Sequence, residues 1–466
     1  MKPNLVYVFA DQLRYDALSC NGDDKAITPH IDELSSESLN LDNCVSNHPV
    51  CAPYRASLFT GKYTTSTGMV INEIRMNPNH RCIGHILKEN GYETAYIGKW
   101  HLYAAQFNNH YSVRNSFVPK GENRLGFDDL FAHYNFHHEY YAPKAYYHLD
   151  DRTKHYVDGY EPDYMSEYAI REIERLSSND KPFALFLSLG TPHDPWNENN
   201  VPKQYLDLYK DTAFDLPVNY ESKNDRHADM WARLSKKERK KLLDYKKVYY
   251  AMVSNLDDNI GKINEYLKAS NLLDTTYFVF TSDHGEMFGS HGRRAKNIFY
   301  DEAVRVPFFI KGRDIIKGKK DFCFSSVDIM PTLLRLLGLD YPAEVEGKDL
   351  STCFVSDEDN EEGSLLMGTG PTALYGNGYE WRGYRNKQYT YAIYRKDKEE
   401  FLFNNLCDPY QMHNLANDPD FQTIKNEMKS IMFEKMNDIH DDFNENLYYK
   451  KHWIRHRVIK KTATLK

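Results

Sequence analysis

The sequence predicts an α/β protein: a larger part with a mostly parallel central sheet flanked by helices, then a smaller α+β part with an antiparallel sheet. Three observations predict it. The runs at 4–12, 183–189 and 277–282 are continuously apolar and β-rich, as strands covered on both faces are, and each leads into polar residues. Such runs alternate with helical patterns through about residue 340, which suits βα units. Beyond an acidic, glycine-bearing connection at 356–364, short strand-like segments follow at 381–385, 388–394 and 400–403.

Individual elements follow from the same patterns. Residues 92–97 read as a strand entered from a helix that ends near Asn90-Gly91. Residues 248–267 read as a long helix, with apolar Ala251, Leu256, Ile260, Ile263 and Leu267 on one face. Another helix starts at 327–334, and Gly338 suits its C-terminal stop. With 466 residues the chain exceeds the range of a single growing core. The expected division is 1–360 and 361–466, with the link between about 340 and 380.

Composition narrows the function classes. A net charge of −8 spread over this length lacks the basic face that nucleic-acid binding needs. Seven cysteines at irregular spacing do not form a disulfide framework. No apolar stretch approaches the ~20 residues of a membrane span, and residues 1–4 run into the first strand without a leader pattern. The expectation is a cytoplasmic protein acting on small substrates, with no nucleic-acid or membrane partner.

The strand ends carry the chemistry. Ligands in open α/β sheets gather at the carboxyl ends of strands, so Asp11-Gln12 and Asp283-His284 are expected to converge. Three hard oxygens and one imidazole suit Ca²⁺ or Mg²⁺. An Asp after a strand also serves as an ordinary turn or helix cap; two such pairs in one chain favour a site.

The run Cys51-Ala52-Pro53-Tyr54-Arg55-Ala56-Ser57-Leu58-Phe59-Thr60-Gly61-Lys62 resembles the sulfatase signature. Residues 404–415 resemble the C-terminal stretch of that family, and the resemblance extends from residue 4 to about 440. It implies an alkaline-phosphatase-like large domain. It also implies that a maturase oxidises Cys51 to formylglycine, whose hydrate attacks sulfur. Asp11, Gln12, Asp283 and His284, together with residue 51, would bind one divalent cation, Ca²⁺ first and Mg²⁺ as the alternative. In Gly98-Lys99-Trp100-His101 the lysine would contact sulfate, and His101 would take the proton of the second hydroxyl as sulfate leaves. His193 would stand near the leaving oxygen as proton donor, and Lys296 would be the second sulfate-binding lysine. Arg55 would hold charge, and Asn72 resembles a substrate-binding Asn of some relatives.

Two departures stand out. Tyr54 occupies a position that is usually Ser, and Gln12 one that is Asp in many sulfatases. The Asp-Gln version also occurs in relatives that hydrolyse phosphonate or phosphate esters. The expected function is therefore hydrolysis of a sulfate monoester, with a sulfated carbohydrate as substrate. A phosphonate monoester hydrolase or phosphodiesterase is the alternative; Lys99 speaks against it. A non-catalytic binder of sulfated glycans is a distant third.

Two segments stand apart. Residues 131–160 are dense in Tyr and His, and read equally as an aromatic wall of a substrate pocket or as packing beneath a long loop. The basic tail at 450–461 reads as a solvated terminus.

Overall fold

The computed structural model describes residues 2–220 and 229–465. The apolar run at the start of the chain forms β1 (Asn4–Asp11), which lies inside an eight-stranded sheet. The others are β2 (Leu39–Leu41), β3 (Glu93–Lys99), β4 (Leu130–Tyr134), β5 (Phe183–Pro192), β6 (Thr276–Ser282), β7 (Phe308–Lys311) and β8 (Gly318–Lys320). Their order across the sheet is β8-β2-β7-β6-β1-β5-β3-β4. Neighbours run parallel except at β7, which is antiparallel to both β2 and β6. The sheet is thus mostly parallel, as the continuous apolar runs require; nothing in the short run at β7 announces its reversal.

Alternation along β1 supplies both layers. Leu5, Tyr7 and Phe9 enter one core and Val6, Val8 and Ala10 the other. The helices are α1 (Pro29–Glu37), α2 (Cys51–Thr60), α3 (Glu161–Ser177), α4 (Lys236–Ala269) and α5 (Ile329–Leu336). Helices α1, α3 and α4 pack on the Val6 face, α2 and α5 on the Tyr7 face. The expected helix at 248–267 is the buried part of α4. Its start lies earlier, at a capping box in which Ser235 and Glu238 satisfy each other's backbone N–H groups. The intervening turns are lysine-rich and mostly exposed, so no apolar period marks them.

A second, antiparallel sheet follows in the order β9 (Ser364–Gly368), β10 (Trp381–Arg385), β11 (Tyr389–Tyr394) and β12 (Glu400–Asn404). Helix α6 (Gln422–Asp438) lays Met428, Met432 and Met436, spaced by four, against Leu365, Tyr391 and Leu402. Behind this layer Arg382 of β10 donates from Nη2 to Asp441 Oδ1 at 2.9 Å and from Nε to Oδ2. Both side chains are at most 1% exposed.

The tail is not a solvated terminus. Ile459 is fully buried, Ile459 N donates to Arg75 O at 3.1 Å, Arg75 N donates to Arg457 O at 2.7 Å, and Ala463 N donates to Thr65 O at 3.0 Å. The lysines face outward while the apolar residues between them cover the segment after α2. The aromatic stretch at 131–160 resolves toward packing. Tyr134, Tyr140 and Tyr146 are fully buried, and Tyr147 OH pairs with Tyr164 OH of α3 at 3.2 Å. These rings have no free face for a sugar; Tyr156, in the same stretch, is 55% exposed. Among the described residues, no helix is long and apolar enough to cross a membrane.

Removing one partner of a buried ion pair leaves the other charge uncompensated. Asp441→Ala is therefore expected to lower unfolding stability by about 3–5 kcal/mol, measured by urea titration. A loss within a few tenths of a kcal/mol would mean that Arg382 is satisfied by its carbonyl partners alone.

Candidate active site

Four adjacent parallel strands deliver four polar side chains to one rim of the sheet. Asp283 follows β6, Asp11 ends β1, His193 follows β5 and Lys99 ends β3. Close approach is built in at Gly98, whose φ is +100° and where an added Cβ would lie 2.1 Å from Ser188 O. No other residue fits there without moving β5.

Helix α2 faces this rim with its first turn. Cys51 is its first residue, and Arg55, four residues on, lies on the same side. The helix closes on Gly61 in the left-handed conformation (φ +64°), whose N–H donates to Ser57 O. Cys51 Sγ stands 3.2 Å from His284 Nε2, 3.7 Å from Asp11 Oδ1 and 3.5 Å from Lys296 Nζ. Arg55, fully buried, donates from Nη1 to Ser188 Oγ at 2.8 Å, while Nη2 lies 3.5 Å from Asp11 Oδ2 and 3.7 Å from Asp283 Oδ2. Lys99 Nζ donates to Asp11 Oδ2. Tyr54 points the other way, into the core, with its hydroxyl 3.2 Å from that of Tyr7. The substitution at the usual Ser position therefore alters packing behind the helix and leaves the Cys51 face alone.

The charged groups of the site set one another's protonation. Burial and the neighbouring Cys51 push Asp11 up, but Lys99, His193 and Lys296 outweigh them and hold it at about 2. Burial and the nearby Asp11 push Asp283 up to about 6. The Cys51 thiol would be raised by burial, yet Lys296, Lys99 and His284 together hold it well below its ordinary value. Burial lowers His101 to about 4, assisted by the positive Lys99. His193 is opposed by burial and by Lys296, but Asp11 and Asp194 lift it to about 9.

Each residue expected at the site has a definite place. Lys296 Nζ bridges Gln12 Oε1 at 2.6 Å and His193 Nε2 at 3.1 Å. Gln12 N donates to Asp283 Oδ1 at 3.0 Å. His101 stacks on Phe136 with ring centroids 5.0 Å apart, and neither of its nitrogens makes a well-formed hydrogen bond. Asn72 meets the site differently from the rest: its Oδ1 accepts from Ala52 N at 3.0 Å, so it secures the first turn of α2. That is a capping contact, made across chain segments.

Four residues escaped the sequence reading. Glu286 accepts Gln12 Nε2 at 2.5 Å and the N–H groups of Phe288 and Ala295 at 3.1 and 2.8 Å. Asp194 holds His193 Nδ1 through Oδ1 at 3.0 Å. Ser188 anchors Arg55, and His138 stacks on His193. Glu286 and Asp194 each adjoin an assigned pair, a signal that was available. His138 had none, because its partner is 55 positions away.

Asp11, Cys51, Asp283 and His284 present donor atoms that all lie within 4.8 Å of one another, every residue buried. Asp283 Oδ2 accepts no hydrogen bond. Two carboxylates, an orphaned oxygen and an imidazole fit a divalent cation. Gln12 Oε1, next to them, already accepts from Lys296.

Comparison with known proteins agrees with this geometry. The family model described as Sulfatase matches residues 3–339. The chain belongs to the sulfatase family, the sulfuric ester hydrolases. A second model, for the C-terminal part of N-sulphoglucosamine sulphohydrolase, matches residues 289–438 and so spans the second sheet. An ulvan-active sulfatase of Formosa agariphila is 36% identical over 97% of this chain and 84% of its own length. An N-acetylglucosamine-6-O-sulfatase of Bacteroides thetaiotaomicron is 26% identical over 90% of this chain and 81% of its own. Among solved structures, the putative sulfatase yidJ of Bacteroides fragilis superposes with a TM-score of 0.83 at 29% identity, covering 95% of this chain and 97% of that one. A phosphonate monoester hydrolase of Agrobacterium radiobacter shares the fold, at 20% identity and a TM-score of 0.71, over 94% and 96% of the two chains.

A cation must displace the proton that Asp283 holds below about pH 6. The raised value makes the direction clear: binding is full above it and is lost as pH falls through it. Titration calorimetry of metal-free protein with Ca²⁺ is expected to give an affinity that is flat above about pH 7 and declines below about pH 6, and Asp283→Asn is expected to weaken binding at every pH. Affinity unchanged through that window would contradict the assignment of Asp283.

Proposed function

We propose that this sulfatase hydrolyses a sulfate monoester of a carbohydrate, with Cys51 as the precursor of its nucleophile. The observation that carries the reading is the excess of buried positive charge around Cys51. Buried Lys99 and Arg55, half-buried Lys296 and a protonated His193 outnumber Asp11 and Asp283 there once residue 51 is no longer a thiol. Such a pocket is complete only with an anion in it. The sulfated-carbohydrate class rests on the relatives named for ulvan and for N-acetylglucosamine 6-sulfate.

Formylglycine made from Cys51, once hydrated, would supply the attacking oxygen, and Asp11, Gln12, Asp283 and His284 would hold a divalent cation, Ca²⁺ foremost, that would supply positive charge beside it. Cys51 Sγ stands in for that oxygen. Its neighbours define what the chain does there. Lys99 and Lys296 hold sulfate oxygens and neutralise charge that spreads during cleavage. Arg55, fixed by Ser188, keeps the two carboxylates in place from behind. His193 offers a proton from Nε2 to the departing oxygen, because Nδ1 is engaged by Asp194. His101 is neutral, without a fixed partner, and is the base that accepts a proton when residue 51 releases sulfate.

The test compares esters. Protein produced with a formylglycine-generating maturase is expected to turn over 4-nitrophenyl sulfate faster than 4-nitrophenyl phenylphosphonate. Cys51→Ala should fall to background, and Lys99→Ala should lose ~10²–10³-fold in kcat on the sulfate. Faster phosphonate cleavage would transfer the assignment to the phosphonate hydrolases.

A further inference from the structure

The aromatic stretch at 131–160 touches the site twice: Phe136 stacks on His101, and His138 reaches His193. His138 lies flat on His193, with ring centroids 3.8 Å apart and an interplanar angle of 8°. This contact is the end of a small clamp. Asn200 donates from Nδ2 to His138 O and to Pro195 O, both at 3.1 Å, and accepts from Tyr140 N at 2.9 Å. Tyr140 OH donates to Gly190 O and lies 3.4 Å from His193 O. The backbone at and just after His138 is thereby tied to both sides of the loop that carries His193. Asp194 holds the opposite edge of the His193 ring at Nδ1. Stack, clamp and carboxylate together hold that ring with Nε2 toward Lys296, whose Nζ lies 3.5 Å from Cys51 Sγ.

We propose that His138 is a positioning residue for proton delivery by His193, acting through the flat stack of the two rings. The inference rests on the proton-donor reading of His193 given above. In the step concerned, the deprotonated hydroxyl of hydrated residue 51 bonds to sulfur as the S–O bond to the leaving group breaks, and the electron pair of the broken bond stays on the bridging oxygen. The proton from His193 Nε2 neutralises that oxygen, and His193 is left neutral. A ring free to turn about its χ angles spends less time aimed at that oxygen, and the deficit grows as the leaving group becomes more dependent on the proton. Burial and the nearby cations keep His138 itself neutral, so the stack sets a neutral ring against a protonated one and the contact is attractive. The Tyr- and His-rich stretch thus reaches His193 through one ring, with Tyr140 in the support behind it.

The experiment measures kcat on 4-nitrophenyl sulfate and on phenyl sulfate, whose phenols differ in acidity. In His138→Ala the rate on phenyl sulfate is expected to fall about tenfold further than on 4-nitrophenyl sulfate, a fraction of the ~10²–10⁴-fold that proton transfer contributes. His138→Phe, which restores a flat ring, is expected to recover the parent ratio. If His138→Ala does not fold, His138→Gln takes its place as the ringless variant. Equal losses on both esters, or a Phe variant that behaves like the ringless one, would overturn the proposal. His193→Ala, measured alongside, separates the two layers of the argument. Steep leaving-group dependence there with none in His138→Ala overturns the positioning role alone; none in either overturns the proton-donor reading and this inference with it.

Discussion

Asp11 is the interaction on which the site depends. It is fully buried and within reach of Lys99, Arg55 and Cys51 at once, and it is the anion that lets the cations stand inside the protein. Buried charges of one sign are expensive, and their cost is recovered only through close partners. Asp11 and Asp283 face Lys99, Arg55 and Lys296. Under the proposed function, the positive charge left over is what a substrate anion meets. A site neutral by itself would hold sulfate weakly; one with no carboxylates would not fold around its lysines.

The sheet makes this arrangement possible. Parallel neighbours end at the same rim, so residues from β6, β1, β5 and β3 meet although they span positions 11 to 283 of the chain. Helix α2 then brings Cys51 and Arg55 on one face, with the first turn secured by Asn72. Each strand contributes one functional group at its end and buries everything before it. The chemistry is therefore no more mobile than the sheet, which suits a reaction whose charged groups must be in place beforehand.

Much of this was legible in the sequence, for a physical reason. Fully buried parallel strands leave a continuous apolar signature, and the polar residue that follows the run is the one at the rim, so Asp11 and Asp283 could be read directly, whereas Lys99 came with the resemblance of its Gly-Lys-Trp-His segment to sulfatases. Helix α4 was read short because its first turns contact solvent and carry no apolar period. The strand β9 was missed because it follows an acidic connection whose composition masks its start. The tail and the aromatic stretch were the hardest. A basic segment looks solvated when counted by charge, although Ile459 alone is enough to anchor it. A tyrosine looks the same in sequence whether its ring faces a sugar or a core. His138 stood out only as one of the His and Tyr residues of 131–160; its stack on His193 is set by how two loops meet.

The central claim is that Cys51 is the precursor of the nucleophile, and the most direct measurement is mass spectrometry of the peptide spanning it, on the same sample whose aryl sulfate turnover is recorded. The account predicts that turnover rises in proportion to the fraction of residue 51 found as the aldehyde, and vanishes as that fraction approaches zero. Full turnover by protein whose Cys51 remains a thiol throughout would contradict it.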